Sequence, residues 1–301
     1  MGAAKFIRGL AIRIAPENMI VVVNTGDDDL FYGLHVSPDI DTVTYTLAGV
    51  VNRAQGWGRE DESYATLEAL DRLYGPHWFT LGDRDFATHI YRSDRMRAGA
   101  RLSQVTAEVA RALGVRAQVI PMSDDPVRTF VKLRGRAPIA FQQYFVKGRA
   151  RGVVERIELR GASTARPLPA ALRAIRESAA VILAPSNPFV SLGPILALKG
   201  VRNLLRKNRA RVAAISPIIG GKTIKGPADK MLRGLGNDAS ALGVARLYQD
   251  IAGIFVLDNL DRALAPEIEK LGMRAVVTDT IMTTAAKSAR LADVVLRALP
   301  V

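Results

Sequence analysis

Short apolar runs recur along the chain, each followed by a polar turn and then by a segment with helical spacing. Ile20 to Val23 is the first, and Ala117 to Ile120, Ala180 to Leu183, Val212 to Ile215, Ile254 to Leu257 and Ala275 to Val277 repeat the pattern. Such runs, bounded by turn residues, read as buried strands. Phe130-Val131, Ile139 to Val146 and Val153 to Leu159 look like further, paired strands. Gly2 to Ile14 sets Phe6, Ile7, Leu10 and Ile14 on one helical face, and Asp41 to Asn52 reads as a helix capped by Asp39 or Asp41. Ser103 to Leu113 reads as a helix capped by Ser103 and stopped by Gly114. Helices are also expected near Thr66 to Leu73, Ala87 to Arg97, 167–177, Gly193 to Leu205, Ala228 to Leu235, Ala241 to Ile251 and Thr284 to Leu299. Strands alternating with helices predict an α/β protein with a doubly wound, mostly parallel sheet. Residues 53–113 carry mainly helical signals and read as an insertion, so the core is expected in 1–52 and 114–301.

With 301 residues, 49% of them apolar, the chain can bury a sizeable core. No run reaches the roughly 20 apolar residues of a membrane span. The absence of cysteine excludes disulfides and thiolate chemistry and fits a cytoplasmic protein. A net charge of +13 suits an anionic partner. The charge is dispersed, however, and only 6% of residues are aromatic, with no aromatic-basic interleaving. Nucleic acid is therefore not the expected ligand.

The densest chemistry follows the first strand. Asn24-Thr25-Gly26 leads into Asp27, Asp28 and Asp29, and Asp39 and Asp41 follow after His35. Five carboxylates so close repel one another, and a divalent cation would relieve them; a solvated turn plus a helix cap is the alternative. Three further strand ends carry small polar groups, Ser123-Asp124-Asp125, Ser186-Asn187 and Ser216. In a parallel sheet such loops share an edge, where ligands bind. Gly82-Asp83-Arg84-Asp85 sets an arginine between two acids, either to grip a phosphate or polar ring or as a cap with a local ion pair. Gly221-Lys222-Thr223 is not a nucleotide-hydrolase phosphate loop, because Ser216 stands where that motif needs glycine. The Gly220 and Gly221 amides and Lys222 can still meet a phosphate. His35, His77 and His89 lack metal-ligand spacing.

Several strings then match, in order, those of one family. They are Val22-Val-Asn-Thr-Gly-Asp-Asp, Ser37-Pro-Asp-Ile-Asp-Thr-Val, Leu81-Gly-Asp-Arg-Asp-Phe-Ala-Thr-His, Pro121-Met-Ser-Asp-Asp-Pro, Ala184-Pro-Ser-Asn-Pro, Ser191-Leu-Gly-Pro-Ile-Leu and Ser216-Pro-Ile-Ile-Gly-Gly-Lys. The chain resembles the 2-phospho-L-lactate transferases of coenzyme F-420 biosynthesis over nearly its whole length. The resemblance implies a Rossmann-like core, a helical insertion and a homodimer. It implies transfer of a phospho-acid (2-phospholactate, phosphoenolpyruvate or 3-phosphoglycerate) from a guanosine diphosphate conjugate to 7,8-didemethyl-8-hydroxy-5-deazariboflavin. GMP leaves and magnesium is required. On that resemblance Asp27, Asp28 and Asp41 are expected to hold magnesium. Asp41 and Arg84 are expected to be catalytic and, with Asp39 and His35, to bind the deazaflavin. Gly2, Asn24, Ser186, Asn187, Gly220 and Lys222 are expected on the nucleotide and phosphate side. The family opens with a strand and a Gly-Gly-x-Gly-Ala loop, of which only Gly2-Ala3-Ala4-Lys5-Phe6 matches here, with Met1 before the last loop glycine. The expected explanation is a start lying upstream. The competing function is a non-catalytic, nucleotide-binding regulatory relative of the same superfamily.

Overall fold

The computed structural model describes residues 2–300; Met1, the loop position singled out above, lies outside them. The chain opens with α1 (Gly2–Ala11), β1 (Ile20–Val23), a hairpin of β2 (Asp29–Phe31) and β3 (Leu34–Val36), and α2 (Pro38–Ala48). Three helices follow, α3 (Ala65–Tyr74), α4 (Asp83–Arg97) and α5 (Leu102–Ala112). Next come β4 (Gln118–Pro121), β5 (Arg128–Leu133), β6 (Ile139–Ala140) and β7 (Val154–Arg160). Then α6 (Pro169–Glu177), β8 (Val181–Leu183), α7 (Leu192–Ala197), α8 (Val201–Lys207) and β9 (Val212–Ile215) alternate. The chain closes with α9 (Ala228–Gly234), α10 (Ala241–Tyr248), β10 (Ile254–Asp258), α11 (Ala265–Lys270), β11 (Arg274–Thr278) and α12 (Ala285–Ala298).

The α/β fold with parallel strands is as expected. Strands β8, β9, β10 and β11 form one parallel sheet in the order β11-β10-β9-β8, and β1 pairs in parallel with β4. Alternation along β9 and β10 shows how both faces are used. Val212, Ala214, Phe255 and Leu257 enter one core, while Ala213, Ile215, Ile254 and Val256 enter the other, against Phe6 of α1 and Leu291 and Val295 of α12. A sheet covered on both faces explains why these strands read as unbroken apolar runs. Helix α1 ties the parallel strands together. Its Phe6 packs beneath β9 and β10, its Ile7 packs with Val23 of β1 and Val119 of β4, and its first residue, Gly2, abuts the Pro185 carbonyl just past β8. A separate antiparallel sheet, β6-β5-β7, closes one side.

Local departures from the sequence reading have local causes. Helix α2 starts at Pro38, not Asp41, because proline suits a first helical position, and Asp39 and Asp41 then both fall in the first turn. The acidic stretch contains a hairpin, turned by Tyr32 and Gly33 at φ 53° and 74°. Ser103 lies within α5; it donates through its amide and hydroxyl to Asp124, at 2.7 and 2.8 Å, and Arg101 precedes the helix. The strand expected over 139–146 stops at Ala140, and Gln143–Lys147 form a π-helical turn. Phe141 and Phe145, four residues apart, stack there with centroids 5.5 Å apart, which is helical rather than strand spacing.

Helices α1 and α12 touch at Gly9, where a Cβ would stand 2.3 Å from the Ser288 carbonyl. Glycine to alanine within a helix ordinarily stabilises by about 1 kcal/mol. Overpacking should reverse that sign here, so Gly9→Ala is expected to destabilise by about 1–3 kcal/mol, read as a lower urea midpoint.

Candidate active site

A cleft of about 390 Å³ opens where the parallel strands end. The loop after β1 supplies Asp27, the loop after β8 supplies Ser186 and Asn187, that after β9 supplies Ser216, and that after β11 supplies Thr280. The fourth loop expected there, after β4, serves the fold instead. Asp124 anchors α5, Asp125 accepts from the Arg166 amide at 2.8 Å, and Ser123 donates to the Arg166 carbonyl at 2.6 Å.

Asp27, Asp39 and Asp41 line the cleft, but their surroundings differ. Asp41 is fully engaged by the buried guanidinium of Arg92. Nη1 donates to Oδ2 at 3.1 Å, and Nη2 is bonded to Oδ1. Arg92 reaches Asp41 from the middle of α4 and is wholly buried. Asp28 lies behind the wall, accepting from the Ser37 hydroxyl at 2.8 Å, with His35 Nε2 at 3.7 Å. Burial pushes its pKa up to about 8, against the pull of Ser37 and Arg92. Asp27 is raised well above the ordinary carboxylate range by burial, then by Asp39 and Asp28. Its Oδ1 is buried with no hydrogen-bond partner. Among the described residues no three carboxylates or imidazoles converge into a ready-made cation cage.

Other expected residues divide in the same way. Gly2, Ser186 and Asn187 line the cleft. Asn187 also shapes its loop, its Oδ1 accepting the Phe189 amide at 2.9 Å. Asn24 sits beneath the floor, where its amide donates to Asp39 at 3.0 Å and to the Val190 carbonyl at 3.2 Å. Arg84 is exposed outside the cleft lining, its amide donating to Glu62 and its guanidinium to the Glu60 carbonyl at 3.1 Å. His35 is held near pKa 4 by burial and then by Arg92 and Arg128, so it is neutral at pH 7. The Gly220 amide donates to Asp261 at 3.0 Å, and Lys222 is exposed away from the lining, where Lys225 takes its place.

Three groups of residues escaped the sequence reading. Trp57, Phe79, Phe141 and Phe145 give the cleft lining aromatic surface, Phe141 and Phe145 stacked on each other. Asp85 lines it too, raised to about 7 by burial and then by Asp41 and Glu62. Lys5 and Lys225 add positive charge to the lining, and the Lys225 ammonium donates to the Ala54 and Gln55 carbonyls at 3.5 Å, close to Trp57 in the chain. Asp85 and Lys5 stand within the Leu81 and Gly2 strings quoted above without a role of their own, and the i, i+4 spacing of Phe141 and Phe145 was a further signal.

The family profile described as 2-phospho-L-lactate transferase CofD matches residues 1–295. A 2-phospho-L-lactate transferase of Methanosarcina mazei is 39% identical over 297 residues, 99% of this chain and 97% of that protein. A phosphoenolpyruvate transferase of Kitasatospora aureofaciens is 41% identical, over 97% of this chain and 93% of that one. Among solved structures, a UPF0052-family protein of Bacillus halodurans shares the fold with a TM-score of 0.66 at 15% identity, over 98% of this chain and 96% of that one. The chain belongs to the 2-phospho-L-lactate transferase CofD family, and it is a transferase of that type. No helix among the described residues is long and apolar enough to cross a membrane.

Removing one partner of a buried ion pair strands the other, so Arg92→Met is expected to cost about 3–5 kcal/mol in urea unfolding, most of it recovered in Arg92→Met/Asp41→Leu. The shifted groups also set a pH dependence. Asp28 and Asp85 keep their protons to about 8 and about 7 when folded, against 3.8 ordinarily, so this stabilisation is lost as pH rises through that window. His35 and His89, neutral down to about 4 against 6.5 ordinarily, act oppositely but only below 6.5. From pH 6.5 to 8, without divalent cations, the urea midpoint should therefore fall. Asp28→Asn should flatten that slope, and an unchanged slope would contradict the assignment.

Proposed function

We propose that this transferase moves a phospho-acid from a guanosine diphosphate conjugate to the ribityl 5'-hydroxyl of 7,8-didemethyl-8-hydroxy-5-deazariboflavin, with magnesium. The observation that carries the reading is that one cleft brings two kinds of side chain together. Trp57, Phe79, Phe141 and Phe145 suit a flat ring, and Asp27, Ser186, Asn187, Ser216 and Thr280 at the strand ends suit a nucleoside diphosphate.

The hydroxyl oxygen attacks the phosphorus that carries the acid. The bond from that phosphorus to the bridging oxygen breaks, and GMP leaves with the oxygen. Such transfers depend on alignment and charge neutralisation more than on covalent participation by the protein. Asp85, held near neutrality in the cleft, is suited to take the hydroxyl proton.

Asp27 and Asp39 fit magnesium, which commonly takes one or two carboxylates and completes its shell with water and phosphate oxygens. Both Asp27 and Asp28 carry an unpartnered buried Oδ1, and of these two only Asp27 lines the cleft, where a cation would reach it. Asp41, its oxygens committed to Arg92, positions α4 against α2 instead, and Asp28 sits one layer back. Bound magnesium would neutralise charge on the diphosphate. A regulatory, non-catalytic role would not require the aromatic surface that Trp57 and Phe79 bring from the stretch between β3 and β4.

GMP release, followed chromatographically with donor, deazaflavin and magnesium, tests the reading. Asp27→Asn should lower turnover by about a hundredfold or more. Phe145→Ala should raise the KM for deazaflavin while sparing that for the donor. Turnover that ignores Asp27 and needs no divalent cation would overturn the proposal.

A further inference from the structure

A second cavity, of about 250 Å³, adjoins the cleft, and Lys5 and Thr283 line both. Arg8 and Arg53 complete its basic lining, and Thr284 begins α12 at its edge. Helix α12 is 14 residues long, so its N-terminus adds partial positive charge to the cavity. Among the described residues, Lys5, Arg8, Arg53 and Lys225 have no carboxylate within the 4.0 Å of an ion pair. The Nε of Arg8 is buried with no hydrogen-bond partner at all. The Lys5 ammonium is pushed down by burial and then by Lys225 and Arg8, as expected where cations crowd without anions. An arginine nitrogen left unsatisfied among other cations costs stability unless a ligand meets it.

From this arrangement we infer that the cavity is an oxyanion subsite that takes the carboxylate of the acid carried by the donor. The inference rests on the transferase reading for the identity of the anion, though not for its charge. Continuity through Lys5 and Thr283 puts the subsite beside the strand-end loops, so one ligand can bridge both. The forked guanidinium of Arg8 suits a carboxylate, and Arg53 closes the exposed side. The phosphate of a free anion has similar chemistry, and the test separates the two sources.

Two measurements on the full chain decide it. In calorimetry with inorganic phosphate, Arg8→Gln and the exposed Arg53→Gln should each weaken binding by about tenfold, the loss of a charge-assisted contact. Unchanged affinity in both would overturn the subsite, whether or not the protein proves to be a transferase. In turnover, the guanosine diphosphate conjugate is compared with its carboxyl methyl ester. The unsubstituted protein should prefer the acid by about tenfold in kcat/KM, and both variants should lose that preference while treating the ester as before. A preference retained in the variants would assign the cavity to a free anion and sink the proposal. No turnover with either conjugate would instead sink the transferase reading, leaving phosphate binding to judge the cavity. Arg53→Gln lies on the surface, so it reports even if Arg8→Gln fails to fold.

Discussion

A carboxylate removed from water must find a cation, a proton or a hydrogen-bond donor. Three aspartates at the head of the first parallel strand pair meet that requirement differently. Asp41 has the Arg92 guanidinium. Asp28 has the Ser37 hydroxyl and, below about pH 8, a proton. Asp27 has one buried oxygen with no partner, as Asp28 also does, but of the two only Asp27 lines the cleft. The first two solutions draw α4 and the β2–β3 hairpin onto the core. The third is left for a ligand. Structural and functional acids therefore share one short stretch and are separated by what each one touches.

The same requirement accounts for the shape of the cleft. Parallel strands deliver small polar residues to one edge, where backbone amides and hydroxyls meet charge. They deliver little flat apolar surface. That comes from the stretch between β3 and β4, which contributes Trp57 and Phe79, and from Phe141 and the π-helical turn that follows it, which contributes Phe145. A ligand with a flat ring at one end and phosphates at the other can be held across that junction.

Much of this was legible in the chain, because buried strands and amphipathic helices write their periods directly into sequence. The runs at 212–215 and 254–257 stand where β9 and β10 form, and the polar residues at 27, 186 and 216 reach the cleft as parallel topology demands. Contacts between remote elements were not legible. Arg92 is one arginine among many along α4 until its burial against Asp41, 51 positions away, becomes visible. Arg84 and Lys222 stand in promising strings, yet their backbone positions turn them outward, and Lys225 reaches the cleft instead. The expected acidic turn was a hairpin because Tyr32 and Gly33 both adopt left-handed conformations, which a bulky tyrosine does not advertise.

Part of the excess positive charge also gathers at the cleft. Some surface arginines are answered by acids, as Arg95 is by Glu108, and Arg202 and Arg206 are by Asp250. Around the cleft mouth Lys5, Arg8, Arg53 and Lys225 are not. Unpaired charges of one sign around a low-dielectric opening focus the field there and raise the local concentration of oppositely charged solutes. Asp27, Asp39 and Asp41 line the same cleft, so cationic side chains and carboxylates would meet one ligand there. Under the proposed function the cations would draw in a polyanion, and a divalent cation on Asp27 and Asp39 would offset the repulsion between their carboxylates and its phosphates.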